Sequence, residues 1–118
     1  MRTGLLGKTL AHSISPLLHG LLGDENYRLF EIPEEDVGAF MTGGAWDAIN
    51  VTIPYKKIVI PYCSSLSDRA AAIGSVNTVV RRPNGTLYGD NTDFAGFSDM
   101  ARDVDFKGRK TVILGSGG

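Results

Sequence analysis

A chain of 118 residues with 42% hydrophobic and 21% charged side chains is long enough for one ordinary domain, and too apolar to stay disordered. A net charge of −1, with no basic run longer than Arg81-Arg82 or Lys56-Lys57, argues against nucleic acid as a partner, and the composition argues against a membrane protein. The single cysteine, Cys63, has no second cysteine to pair with and no Cys/His cluster beside it, which fits a half-buried thiol in a reducing cytoplasm, and no apolar leader is visible at the N-terminus.

Arg2 to Gly7 reads as a first buried strand ending in glycine. Ser15-Pro16 predicts a helix start, with Ser15 as N-cap and Pro16 at the first helical position; Leu17, Leu18, Leu21 and Leu22 follow, and Gly23 ends it. Tyr27 to Ile32 alternates as a second strand. Pro33-Glu34-Glu35-Asp36 loads acidic residues into the first turn of a second helix, which Gly43-Gly44 closes. Asp47 to Val51 is a third strand, and a short helix is expected from Pro54 to Ile60, terminated by Pro61. Ser67 to Ile73 is a helix with Ser67 as cap and Gly74 as its stop. Val76 to Arg82 and Thr86 to Gly89 form a hairpin across Pro83-Asn84-Gly85. Thr92 to Val104 is a last helix, with an apolar stripe at Phe94, Phe97, Met100 and Ala101.

The order implies an α/β fold: a three-layer sandwich whose mostly parallel sheet carries one antiparallel hairpin. The last residues differ in kind. Thr111 to Leu114 is a β-branched, apolar run leading into Gly115-Ser116-Gly117-Gly118, as a dinucleotide-binding strand leads into its glycine-rich turn; a plain glycine-rich tail is the other reading. The expected division is therefore a domain over 1–107, then over 108–118 the first strand and turn of a cofactor domain, with Gly115, Gly117 and Gly118 as its cofactor-binding residues.

Four polar clusters fall at strand ends or helix starts, where an open α/β sheet binds ligands: Ser13-Ile-Ser15, Asn50-Val-Thr52 with Lys56, Asn77-Thr78, and Asn91-Thr-Asp93. Singly, each also reads as ordinary structure. Ser15 serves as a cap, Asn50 and Thr52 close a turn, Asp93 suits a helix's first turn, and Lys56 is a solvated charge. Together they suit a polyhydroxylated acid. Hydroxyls and carboxamides both donate to and accept from alcohols, a lysine offers charge and a transferable proton, and an aspartate can hold the same hydroxyl.

Read as ordered motifs, His12-Ser-Ile-Ser-Pro-Leu-Leu-His19, Asn50-Val-Thr-Ile-Pro-Tyr-Lys56, Ile73-Gly-Ser-Val-Asn-Thr78 and Gly89-Asp-Asn-Thr-Asp-Phe-Ala-Gly-Phe97 resemble the shikimate dehydrogenases over nearly the whole chain. The resemblance implies a reversible, NADP-dependent reduction of 3-dehydroshikimate to shikimate in aromatic amino-acid biosynthesis. It implies Ser13 and Ser15 on the substrate carboxylate, and Thr52, Asn77 and Asp93 on ring hydroxyls. Lys56 would exchange the proton, with Asp93 as its catalytic partner, and no metal is implied. The cytoplasm is the expected setting and a monomer or homodimer the expected state. His12 and His19 belong to the motif but read as structural. The chain departs from the pattern at Gly20, where asparagine is common, and in a first helix about one turn short.

Two alternatives stand beside this reading: a quinate/shikimate dehydrogenase, against which Ser15 in place of threonine leans, and a non-catalytic module that binds a shikimate-like acid. The 118 residues alone are expected to bind shikimate weakly and to catalyse nothing, since the cofactor site falls mostly outside them.

Overall fold

The computed structural model describes residues 1–115. Its centre is one six-stranded sheet, and chain order explains most of its layout. β1 (Thr3–Gly7) pairs in parallel with β2 (Arg28–Glu31) on one side and β3 (Ala48–Val51) on the other. β5 (Thr78–Arg81) is antiparallel both to β3 and to β6 (Leu87–Asp90), and β6 pairs in parallel with the two-residue β4 (Ser65–Leu66). The spatial order is β2-β1-β3-β5-β6-β4. β5 alone runs against the rest. α1 (Ser15–Leu21), α2 (Val37–Thr42), α3 (Asp68–Ile73) and α4 (Thr92–Met100) make the connections or follow them.

The alternation of side chains along a strand gives the sheet two unequal faces. Leu6, Ile49, Val51, Val79 and Leu87 point to one face, where they pack with Val37, Met41, Trp46, Tyr55, Val59 and Val76 into the main core. Each large apolar side chain buried there contributes about 1.5–3 kcal/mol of transfer free energy. The core's polar tips are matched: Trp46 Nε1 donates to the Phe40 carbonyl at 3.1 Å, and the Tyr55 hydroxyl to that of Ile32 at 2.6 Å. The other face carries the smaller cluster Leu5, Leu10 and Tyr27.

Local signals placed several elements well. Ser67 caps α3 by accepting from Ala70 N–H at 3.1 Å, and Gly74 closes it in the left-handed conformation at φ +68°. The hairpin between β5 and β6 turns at Pro83-Asn84-Gly85, with φ +85° at Gly85.

Three expectations need correction. Ser15 is not the cap of α1: Ile14 occupies that position, and Ser13 Oγ accepts the Ser15 N–H at 3.2 Å. No regular helix spans Pro54 to Ile60, which form turns, with a short 3₁₀ turn only at Ile60–Tyr62. The Lys56 carbonyl, which a helix would give to Ile60 N–H, is taken at 2.8 Å by Val76 N–H across the fold, and Ile60 N–H turns to the Lys57 carbonyl at 3.2 Å. α4 ends at Met100 rather than Val104, and its stripe is not buried, with Phe94, Phe97 and Met100 at 51%, 60% and 75% exposure. No described element packs on that side. Thr111 to Leu114 pairs with no strand among the described residues and stands exposed.

Gly7 joins fold to site. A Cβ there would stand 2.6 Å from Leu10 Cδ2 and 2.8 Å from Thr52 Cγ2, both closer than real contacts allow. Gly7→Ala is expected to cost about 1–3 kcal/mol of unfolding free energy in urea titrations. Gly20→Ala, with nothing within 4 Å of the added carbon, should instead stabilise by up to about 1 kcal/mol. Equal stability of the Gly7 variant and the parent would contradict the packing described.

Candidate active site

All four polar clusters meet at one end of the sheet. The loops leaving β1 and β3 and the start of α4 after β6 lie at the carboxyl ends of parallel strands. Because β5 is reversed, Asn77, which precedes it, arrives at the same end. The cleft between them has a volume of about 500 Å³, and Ser13, Ser15, Thr52, Lys56, Asn77 and Asp93 all line it. Every substrate-site residue expected from sequence is therefore brought together. Asn50 joins them, as do Thr9 and His12. Asn50 was visible as part of a polar cluster, and its place across the ladder from Thr78 gives it a partner in the site.

Hydrogen bonds of the backbone place several of these side chains. Thr52 N–H bonds to the Leu6 carbonyl at 2.9 Å, and Val51 N–H to the Asn77 carbonyl at 2.7 Å, so β1, β3 and the start of β5 are pinned side by side. The bond from Val76 N–H to the Lys56 carbonyl fixes the lysine's backbone to the same junction. Ser13 Oγ accepts the Ser15 N–H, which leaves the Ser13 hydroxyl proton free to donate into the cleft. Ser15, released from capping, has its hydroxyl free as well.

Lys56 Nζ donates to Asp93 Oδ2 at 2.6 Å, joining the second cluster to the fourth. The lysine side chain is 21% exposed and the aspartate 59%. An ion pair this open contributes about 0–1 kcal/mol to stability, so its geometry matters chiefly for what it presents to the cleft. It places an ammonium and a carboxylate beside each other, facing hydroxyl and carboxamide donors.

The segment carrying Asp93 is held from behind. Asn91 is buried, caps α4 by accepting from Phe94 N–H at 3.1 Å, and donates to the Ser75 carbonyl at 2.9 Å. Asp90 Oδ1 accepts from Asn91 N–H at 2.7 Å, from Ser67 Oγ at 2.5 Å and from Arg69 Nε at 2.7 Å, while Arg69 Nη2 reaches its other oxygen. The Arg69 guanidinium, aided by Ser67 and the Asn91 amide and opposed by partial burial, holds the Asp90 carboxyl far below the usual carboxylate range.

Of the three glycines expected to hold a cofactor, Gly115 has φ +105°, and among the described residues nothing stands within 4 Å of a Cβ placed there. Gly117 and Gly118 lie outside the described residues. Among the described residues no group of three or more His, Cys, Asp or Glu could hold a metal ion, and no helix is long and apolar enough to cross a membrane.

Asp90 carries a pH dependence with a definite sign. Its carboxyl titrates lower in the folded chain than in the unfolded one, so its stabilisation is complete above about pH 4 and is lost as the pH falls further. Asp90→Asn should be less stable than the parent at neutral pH in urea titrations. That deficit should shrink between about pH 4 and pH 2, and a deficit independent of pH there would contradict the ion pair's role.

A family model described as the shikimate dehydrogenase substrate binding domain matches residues 5–79. A shikimate dehydrogenase (NADP(+)) of Chlorobium phaeovibrioides is 41% identical across 98% of this chain. The chain spans only 43% of that relative's length, and a similar share of the other relatives it matches. Among solved structures, shikimate dehydrogenase 1 of Peptoclostridium difficile superposes with a TM-score of 0.87 at 37% identity, covering 98% of this chain and 46% of that one. The Thermus thermophilus enzyme, solved in complex with shikimate, gives 0.78 at 33% identity over 86% of this chain and 42% of its own.

Proposed function

The chain belongs to the shikimate dehydrogenase substrate-binding-domain family, and from that premise we propose that it is the substrate-binding part of an NADP-dependent enzyme interconverting shikimate and 3-dehydroshikimate. The observation that carries this reading is the Lys56–Asp93 pair, 2.6 Å apart in a cleft that also presents hydroxyls and carboxamides, with Leu5, Leu10 and Val51 as apolar lining. A bound nicotinamide would supply hydride transfer at the substrate carbon.

The chain's own residues supply binding and the proton. Ser13 and Ser15 offer hydroxyl donors from the loop and the first turn of α1, and they take the substrate carboxylate. Thr52, Asn77 and Asp93 line the same cleft and hold ring alcohols. In reduction the Lys56 ammonium gives a proton to the carbonyl oxygen and becomes the amine, and in oxidation the amine takes the alcohol proton and becomes the ammonium. Asp93 keeps the lysine at the reacting hydroxyl, and that geometry is available before substrate arrives. A mere carrier of the acid would not need a proton-transfer group beside a carboxylate, which favours an enzyme over a binding module. Among the described residues the regular elements end at Met100, which supports a substrate domain closing near residue 107. Cys63, half-buried and raised in pKa by that burial, is compatible with a cytoplasmic setting.

In the full-length enzyme, Lys56→Ala is expected to lower kcat by about 10²–10⁴-fold while changing KM far less, because proton transfer develops in the transition state. Ser15→Ala should mainly raise KM, since a contact remote from the reacting carbon holds substrate and transition state alike. Steady-state kinetics with shikimate and NADP decide the point. The reverse pattern would mean the two roles are misassigned.

A further inference from the structure

The proposed substrate cleft depends on two carboxamides, Asn50 and Asn77, whose usefulness rests on which way each amide faces. A hydrogen-bond chain settles this. Thr92 N–H can only donate, and it lies 2.8 Å from Asn77, so the atom it meets is Oδ1. The Thr78 hydroxyl, 3.0 Å from the same oxygen, must donate to it. With its one proton committed, Thr78 Oγ1 must accept from Asn50 at 3.3 Å, which fixes Nδ2 of Asn50 on that side. Asn50 Oδ1 therefore faces the other way and needs a donor. Tyr27 supplies it, with its hydroxyl at 2.8 Å.

Tyr27 is built for that task. It is 8% exposed, packs with Leu5 and Leu10, and stacks on His19 of α1 with ring centroids 3.7 Å apart and planes at 12°. Burial first, then the nearby Asp24 carboxylate, pushes its phenol up to about 12, so it keeps the proton it donates across the whole working range of pH. It does not line the cleft.

We propose that Tyr27 is a positioning residue: its hydroxyl ends a one-way chain that runs through Asn50 and Thr78 to Asn77, and it sets the amide orientation of Asn50 in the substrate cleft. Each amide keeps one N–H outside the chain for the cleft that both residues line. Without the phenol, Asn50 Oδ1 loses its donor. Flipping the amide then sets its oxygen against Thr78 Oγ1 and pulls the Thr78 proton away from Asn77. Either outcome spreads the Asn50 amide over more than one arrangement and weakens the Thr78 contact to Asn77, and binding must select one. The inference rests on the cleft being a shikimate site.

The test uses the full-length enzyme, with shikimate affinity measured by calorimetry and stability by thermal unfolding. Tyr27→Phe keeps the ring, the stack and nearly all the buried area, and is expected to weaken shikimate binding about tenfold. Thr78→Val cuts the chain at its middle and should weaken binding in the same direction, with Tyr27→Phe adding little on top of it. Leu87→Val, in the core and away from the cleft, should lower the melting temperature without changing affinity. Unchanged affinity in Tyr27→Phe or Thr78→Val, or fully additive effects of the two, would overturn the positioning role while leaving the functional reading intact. A parent enzyme that does not bind shikimate would sink that reading first, and this inference with it.

Discussion

The hydrogen bond from Val51 N–H to the Asn77 carbonyl, 2.7 Å long, marks the constraint on which the site depends: β5 enters the sheet against the direction of its neighbours. In a wholly parallel sheet the start of a strand lies at the end opposite the ligand. Reversal puts the start of β5 beside the ends of β1, β3 and β6, so residues from four separated segments share one cleft. The Lys56 carbonyl is drawn to Val76 N–H by the same junction. That bond leaves residues 53–59 as turns, and holds the lysine's backbone beside the strand that delivers Asn77.

Stability and chemistry are divided between the faces and the edge of the sheet. The apolar face of β1, β3, β5 and β6 is closed by α2, the turns after β3 and Trp46, with little polar content left unmatched. Arg81 stacks over Trp46 at 4.6 Å and donates to the carbonyls of Trp46 and Met41. The edge that carries the cleft is polar and bonded in detail. Asp90 is gripped by Arg69 and Ser67, Asn91 caps α4, and Asn77 meets both the N–H and the hydroxyl of Thr92. Such networks are costly when half satisfied and rigid when complete, which suits a site that must hold several alcohols in one orientation.

What the sequence made legible was local. Ser67 and Gly74 bounded α3 because a cap and a left-handed stop are set by neighbours in the chain, and the Pro83-Asn84-Gly85 turn is of the same kind. The polar clusters were legible as types, and their meeting followed from the sheet order. The misplaced features all turn on partners far away or on a nearby competitor. The Leu18 N–H, which a Ser15 cap would have accepted, goes to the Ile14 carbonyl, so the helix already includes Ser15. Val76 took a carbonyl from the helix expected after Pro54. β4, two residues long, exists only because β6 is beside it. The roles of Tyr27 and Thr78 were hidden for a related reason: an alternating strand pattern shows which face a residue takes, not which hydroxyl proton it must spend.

The central claim is that this end of the sheet forms one binding site for a polyhydroxylated carboxylic acid. Residue-resolved chemical shift mapping on addition of shikimate tests it most directly. The account predicts saturable shifts at Ser13, Ser15, Thr52, Lys56, Asn77 and Asp93 together, with one shared dissociation constant. Shifts confined to another surface, or to only one of these segments, would contradict it.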